Sequence, residues 1–354
     1  MMTGEGTPPP DGRWTHRPEG SNWGDFGPDD QLGRLNLITP ERRRAAAAEV
    51  REGIAFCLSL PLDCPAVPIN PRRHPPEFSY SMRGNDPAFN YPYGKMFPGV
   101  KDCVCDDRVQ LTLQYSTQWD ALCHMGFLYD AQGNGQEEVT YYNGFRAKEH
   151  VRGPKDYLAD GAALEGPYGA HALGIQTFAE AAIQARGVMV DLHAHVGLEA
   201  VAVGYDQLMR IFEADGIEIE PGDIMCLRTG FDRAMLAQYA DRSAPFDPHK
   251  VSGLDGFDDK LLQWIVDSGV AALVSDNEAV EAMPDFKRTT AHGSAVPLHN
   301  LCLFRLGIPL GEMFLLSDLA DWLRANGRSR FLFTAPPLRL PGAAGSPVTG
   351  VGTV

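Results

Sequence analysis

Four side chains able to do chemistry fall within eleven residues of the stretch LQYSTQWDALCHMGF, Leu113 to Phe127: Gln114, Gln118, Asp120 and His124. A carboxylate and an imidazole four residues apart are the residue types that bind a metal ion or pass protons near neutral pH. Their neighbours Ala121, Leu122, Met125 and Phe127 are apolar, so both groups need partners if they are buried. Asp120 and His124 are therefore the candidate catalytic pair. The same composition is also compatible with a polar turn at the end of a strand. Ser116 and Trp119, inside the stretch, are candidate substrate contacts. Core packing is the alternative for Trp119, whose indole N–H then requires an acceptor.

These residues must be held by regular elements. In RVQLTLQYSTQWD, residues Val109, Leu111, Leu113 and Tyr115 alternate with Gln110, Thr112, Gln114, Ser116, Gln118 and Asp120. That alternation predicts one strand with an apolar and a polar face. Further β-like runs are GVMVDLH, DIMCLRT, VAALVS and RFLFTA, interleaved with helical patterns in GIQTFAEAAIQA, YDQLMRIFEADG, DDKLLQWIVDSG, HNLCLFRLG and LSDLADWLRANG. Several of the helical patterns stop at glycine, and the alternation predicts an α/β protein. LITPERRRAAAAEV predicts a helix with Thr39 as cap and Pro40 at its first position. Residues 1–20, rich in Gly and Pro, are expected to be flexible, and residues 21–354 to form one domain. The Pro- and aromatic-rich stretch at about 61–99 reads as a long loop packed on the body, either as a lid over the site or as plain packing. Glu281 of SDNEAVEAMP follows a buried-looking strand, and His292 of TTAHGSAVPLHN lies on a loop. Both are candidate substrate contacts.

Composition removes several function classes. The 354 residues carry 46 acidic against 31 basic side chains, a net charge of −15, which argues against nucleic acid or an anionic membrane as partner. Apolar runs fall far short of the roughly 20 residues a membrane helix needs, and no signal-peptide pattern opens the chain. Seven scattered cysteines read as reduced thiols of a cytoplasmic protein. There is no G-x-S-x-G elbow, P-loop or complete G-x-G-x-x-G. Cys123 is a poor nucleophile partner for His124, because adjacent side chains on an extended segment point apart.

Gln114-Tyr-Ser116-Thr117-Gln118-Trp-Asp120-Ala-Leu122-Cys-His124 aligns without a gap with the signature H-x-G-T-H-x-D-x-P-x-H. In this the chain resembles the metal-dependent cyclase-like hydrolases, which include bacterial kynurenine formamidase and isatin hydrolase. Thr117, Asp120 and His124 match. Gln114 and Gln118 stand where that family has metal-ligating histidines, and Ser116 replaces glycine. NWGDFGPDDQLGRLNLITPE, YYNGF, ARGVMVDL, GDIMCLRTGF, VSDNEAVEAMP and the C-terminal PLHNLCLFRLGIPLGEMFLL follow in the expected order, from Asn22 to the C-terminus. The resemblance implies a compact α/β fold of the swivelling β/β/α type, with a mixed, antiparallel-rich sheet flanked by helices. It implies that Asp120 is a metal carboxylate and His124 the general acid/base, and that His299 and Glu312 complete the site. It also implies assembly as a homodimer or homotetramer.

Two glutamines in place of two histidines weaken a zinc pair, since an amide oxygen is a neutral and weaker ligand than imidazole. The expectation is one divalent ion (manganese, zinc or magnesium) on Asp120, His299 and Glu312, with help from Gln118 or Gln114, or no metal at all. Three readings stand open: a hydrolase of a small amide, imide or lactone, a metal-free acid–base lyase or cyclase, and a non-catalytic small-molecule binder.

Overall fold

The strand-like runs converge on a nine-stranded mixed sheet in the computed structural model, which describes residues 6–158, 161–282 and 287–354. In chain order its strands are β1 (Ala55–Cys57), β2 (Gln118–Asp120), β3 (Gln184–Asp191), β4 (Ile224–Arg228), β5 (Ala272–Ser275), β6 (Leu310–Glu312), β7 (Arg330–Thr334), β8 (Gly345–Pro347) and β9 (Val351–Thr353). They lie side by side as β1-β9-β7-β3-β4-β5-β6-β2-β8. Strands β3 to β6 run parallel, and every other pairing is antiparallel. The parallel centre is buried throughout β4 and β5, as expected for strands covered on both faces.

Helices supply that cover. Helix α1 (Pro40–Ala47) starts as the sequence predicts, with the Thr39 hydroxyl accepting from the backbone N–H of Arg42 at 3.3 Å. Helix α2 (Tyr205–Asp215) turns Leu208, Ile211 and Phe212 inward, the i, i+3, i+4 stripe of a helix packed on a core. Next come α3 (Phe231–Ala240), α4 (Asp259–Ser268), which buries Leu261 and Ile265, and α5 (Ser317–Ala325), which buries Leu319, Ala320 and Leu323. Gly216 and Gly269 end α2 and α4 in the left-handed conformation, where a side chain would be strained.

Three expectations are corrected. The strand predicted through Tyr115 breaks: Asp107–Gln110 is a strand, residues 113–117 turn, and a separate β2 begins at Gln118. The cause is tertiary. The Tyr115 hydroxyl donates to Pro65 O (2.6 Å) and Ser116 Oγ to Pro61 O (2.9 Å), which ties this turn to the start of the proline-rich stretch. That stretch is no uniform loop either. Its first part straps the body, and its later part forms a two-stranded ribbon, Glu77–Tyr80 against Asp107–Gln110, exposed on both strands. Near the N-terminus, Arg13 and Trp14 are buried rather than loosely attached. The Arg13 guanidinium donates to the carbonyls of Asn143 and Pro28 and pairs with Asp11 and Asp29. The expectation of flexibility for residues 1–5 lies outside the described residues.

Candidate functional site

The site is built on two short strands that meet edge to edge. β6 pairs antiparallel with β2 so that Glu312 opposes Gln118 and Leu310 opposes Asp120. Directly opposed residues share a face, and alternation along β2 puts Gln118 and Asp120 on it together. Gln118 Nε2 donates to Glu312 Oε2 at 2.7 Å. The other face takes Trp119, which packs edge-on against Phe314 and Phe333 and donates its indole N–H to Ala335 O at 2.8 Å. Gly311, opposite Trp119, leaves that ring its room: a Cβ there would lie 3.1 Å from Trp119 Cζ3. On the far side of β2, Gly345 opposes Asp120, and a Cβ built on it would lie 2.6 Å from Gln114 Nε2. The Gln114 amide therefore lies beside Asp120, on the same face.

His299 reaches this face from a helical segment that opens at Pro297 and continues into a π-helical run, Asn300–Leu306. Its Nδ1 lies 2.5 Å from Glu281 Oε1, and its backbone N–H donates to the same oxygen at 3.2 Å. Nε2 is left pointing at Glu312 Oε1, 3.4 Å away. The chain just before Glu281 is bent by Asn277, whose Oδ1 accepts from the backbone N–H of Val280 at 2.7 Å. Val280 and Met313, the residues adjoining Glu281 and Glu312, adopt φ of 59° and 54°. Such a conformation is rare for a β-branched or long side chain, costs about 1–3 kcal/mol and is found mainly at functional positions.

Asp120, His299 and Glu312 offer one ligand atom each, all within 4.8 Å of one another and all buried. Asp120 is wholly buried, yet neither carboxylate oxygen has a donor among the described residues, and Gln118 Oε1 is likewise buried and without a partner among them. Three unsatisfied oxygens beside a second carboxylate and an imidazole nitrogen form a donor set for a hard or borderline divalent cation. The residues present therefore fit one ion. Glu281 behind His299 is the carboxylate that fixes a ligating imidazole's tautomer.

The buried groups of this face are coupled electrostatically. Burial and the neighbouring Asp120 push the Glu312 carboxyl up to about 7. Burial works against a charged His299, but its contacts with Glu281 and Glu312 outweigh that and raise it to about 10. The His299 ring thus lies between two carboxyl groups. His124 lies on the turn after β2, its Nε2 3.7 Å from Asp120 Oδ2, with 23% of its side chain exposed. Desolvation lowers its pKa, with Asp120 opposing and His299 and Arg73 adding to the decrease.

The structure thus brings together Gln118, Asp120, His124, His299 and Glu312, with Gln114 alongside and Glu281 behind His299. It does not bring in Ser116, which holds Pro61, Trp119, which faces the core, or His292, which is exposed. Sequence reasoning missed Arg73. It lies in NPRRHPP, where nothing in type or spacing sets it apart.

The family model for Cyclase matches residues 57–282. None of the functionally curated proteins matches the chain. Among solved structures, one described as a novel cyclase superposes with a TM-score of 0.70 at 29% identity, covering 94% of this chain and 99% of that one. Isatin hydrolase A from Ralstonia solanacearum gives 0.53 at 16% identity, with 89% and 97% covered. An isatin hydrolase bound to the product analogue thioisatinate gives 0.51 at 16%, with 88% and 95% covered. These last two share the fold. On the extent of the family match, this chain belongs to the Cyclase family.

Proposed function

We propose that the protein is a hydrolase that opens the C–N bond of an amide or imide, or the C–O bond of a lactone, in a small cyclic or aromatic substrate. Asp120, His299 and Glu312, with Gln118 and Gln114 as amide-oxygen donors, would hold a divalent cation. One observation carries this reading: Asp120 Oδ1, Asp120 Oδ2 and Gln118 Oε1 are buried without a donor on the face that also holds His299 Nε2 and Glu312. A metal-free lyase or a non-catalytic binder leaves those oxygens uncompensated. The hydrolase activity of the structurally similar isatin hydrolases supports the same class of reaction.

When bound, the cation supplies polarisation of the substrate carbonyl and a more acidic water. The chain's own residues do the rest. Glu281 holds His299 with Nε2 facing the site, and Gln118 Nε2 holds Glu312. His124, kept neutral at pH 7 by its lowered pKa, takes a proton from the attacking water and returns it to the leaving nitrogen or oxygen. Asp120 Oδ2 stabilises the imidazolium formed in between. Self-association belongs to the same reading: Phe78, Tyr80 and Met82 on and beside the ribbon are half or more exposed, as is common at subunit contacts.

The test is a manganese-supplemented screen of lactones, cyclic imides and N-formyl anilines with wild type and His124→Ala. The expected result is turnover of at least one class, reduced about 10²–10⁴-fold in the variant with metal content retained. Turnover unaffected by His124→Ala, or none by the wild type, counts against the reading.

A further inference from the structure

We infer that Arg73 forms an anion subsite at the edge of the proposed centre, and that the preferred substrates carry a carboxylate close to the bond being opened. This deepens the hydrolase reading and rests on it. Arg73 stands in a turn closed by its own backbone N–H donating to Asn70 O at 3.0 Å. Its side chain lines a cleft with Pro65, Pro68, Ile69, Asn70, Tyr115, Glu278 and Met313. Met313 directly follows Glu312, and Tyr115 adjoins Gln114. The strap is pinned there by Leu60 N–H donating to Thr117 Oγ1 (2.9 Å), whose hydroxyl donates to Met313 O (2.6 Å). The cleft therefore shares its wall with the strand ends that carry the site.

The Arg73 side chain is only 20% exposed, and its Nη1 is fully buried with no hydrogen-bond acceptor among the described residues. Glu278 Oε1, at 3.8 Å, is too distant for a hydrogen bond. It holds the charge in place without using a donor. Other well-buried arginines behave differently. Arg34 donates to the carbonyls of Ile265 and Val266, Arg186 clasps Asp223 with two bonds, and Arg228 donates to Asp191 and Ser317. A guanidinium has donors and no acceptor, and a buried N–H such as that of Nη1 left without an acceptor is costly unless a ligand supplies one.

The fork of a guanidinium matches the two oxygens of a carboxylate. A phosphate dianion suits the place less, because Glu278, 3.8 Å from Arg73, repels the second charge.

Binding, rather than turnover, tests this. Manganese-loaded wild type, Arg73→Gln and Arg73→Lys are titrated calorimetrically with benzoate, its neutral isostere benzamide, and inorganic phosphate. Expected are a tenfold or greater preference of the wild type for benzoate over benzamide, weaker binding of phosphate, loss of the preference in Arg73→Gln and partial retention in Arg73→Lys. Metal content and melting temperature should match the wild type in both variants, since the side chain makes no hydrogen bond in the fold. Equal affinity for benzoate and benzamide in the wild type overturns the inference, as does a benzoate preference that survives Arg73→Gln, which would place the carboxylate on the cation. An absence of metal or turnover would instead refute the hydrolase reading and is read separately.

Discussion

Asp276 and Asp120 are both wholly buried carboxylates at the ends of strands of one sheet, yet their surroundings are opposite. Asp276 accepts from Thr229 N–H (2.8 Å), Thr229 O–H (2.6 Å) and Gly230 N–H (2.8 Å). Asp232, equally buried, accepts from the N–H groups of Leu316 and Ser317 and from the Ser317 hydroxyl. Asp120 accepts from no donor among the described residues. The first two are structural: Asp276 ties the end of β5 to the segment between β4 and α3, and Asp232 ties the start of α3 to the start of α5. The third is aimed at the face where Glu312 and His299 converge, and only a bound cation would compensate it. Burial of charge alone therefore does not mark the site in this protein; burial without a donor does.

The sharpest way to break the comparison is to remove each carboxylate. Asp120→Ala is expected to abolish turnover, by more than about 10³-fold, while leaving the metal-free protein as stable as wild type or more so, since a buried carboxyl without a hydrogen-bond donor disappears. Asp276→Ala should do the reverse. It strands the donors of Thr229 and Gly230 and lowers stability by about 3 kcal/mol or more, read from urea unfolding, with any surviving folded protein still binding metal. Equal destabilisation by the two substitutions would erase the distinction.

A smaller effect is expected from pH. A cation must displace the proton of His299, held up to about 10, and that of Glu312, pushed up to about 7. Both folded values lie above the ordinary ones, so the protonated forms dominate below pH 7 and compete with the metal. Apparent manganese affinity should therefore rise between pH 5.5 and 8, by about tenfold per unit for each proton displaced. A flat profile in a competition titration would contradict the ligand assignment. Smallest is Trp119→Phe, which loses the bond to Ala335 O at about 1 kcal/mol and leaves metal content untouched.

How legible this was in the sequence varied with the physics. The buried strands and amphipathic helices of the centre carry their own periodicity, and Thr39-Pro40 and the glycine stops mark helix ends locally. The pair Asp120–His124 stood out by residue type. What escaped depended on contacts distant in sequence. The alternation from Val109 to Tyr115 suggested one strand, but Pro61 and Pro65 capture Ser116 and Tyr115 and bend the chain. β2 and β6 have three residues each, too few for any period to show. Glu281 reads as a strand-end polar residue. Its place behind His299 follows from the Asn277-stabilised bend and the positive φ of Val280, which no local pattern encodes. Arg73 carries no signal, because a guanidinium N–H without a hydrogen-bond acceptor is visible only once its surroundings are known.

The most direct test of the cation site is elemental analysis of protein purified without chelator or a nickel column, wild type beside Asp120→Ala. About one equivalent of manganese, zinc or magnesium per chain in the wild type, absent from a folded Asp120→Ala, is the predicted result. No metal in the wild type, even after incubation with manganese at pH 8, would contradict it and leave the three orphaned oxygens without an explanation.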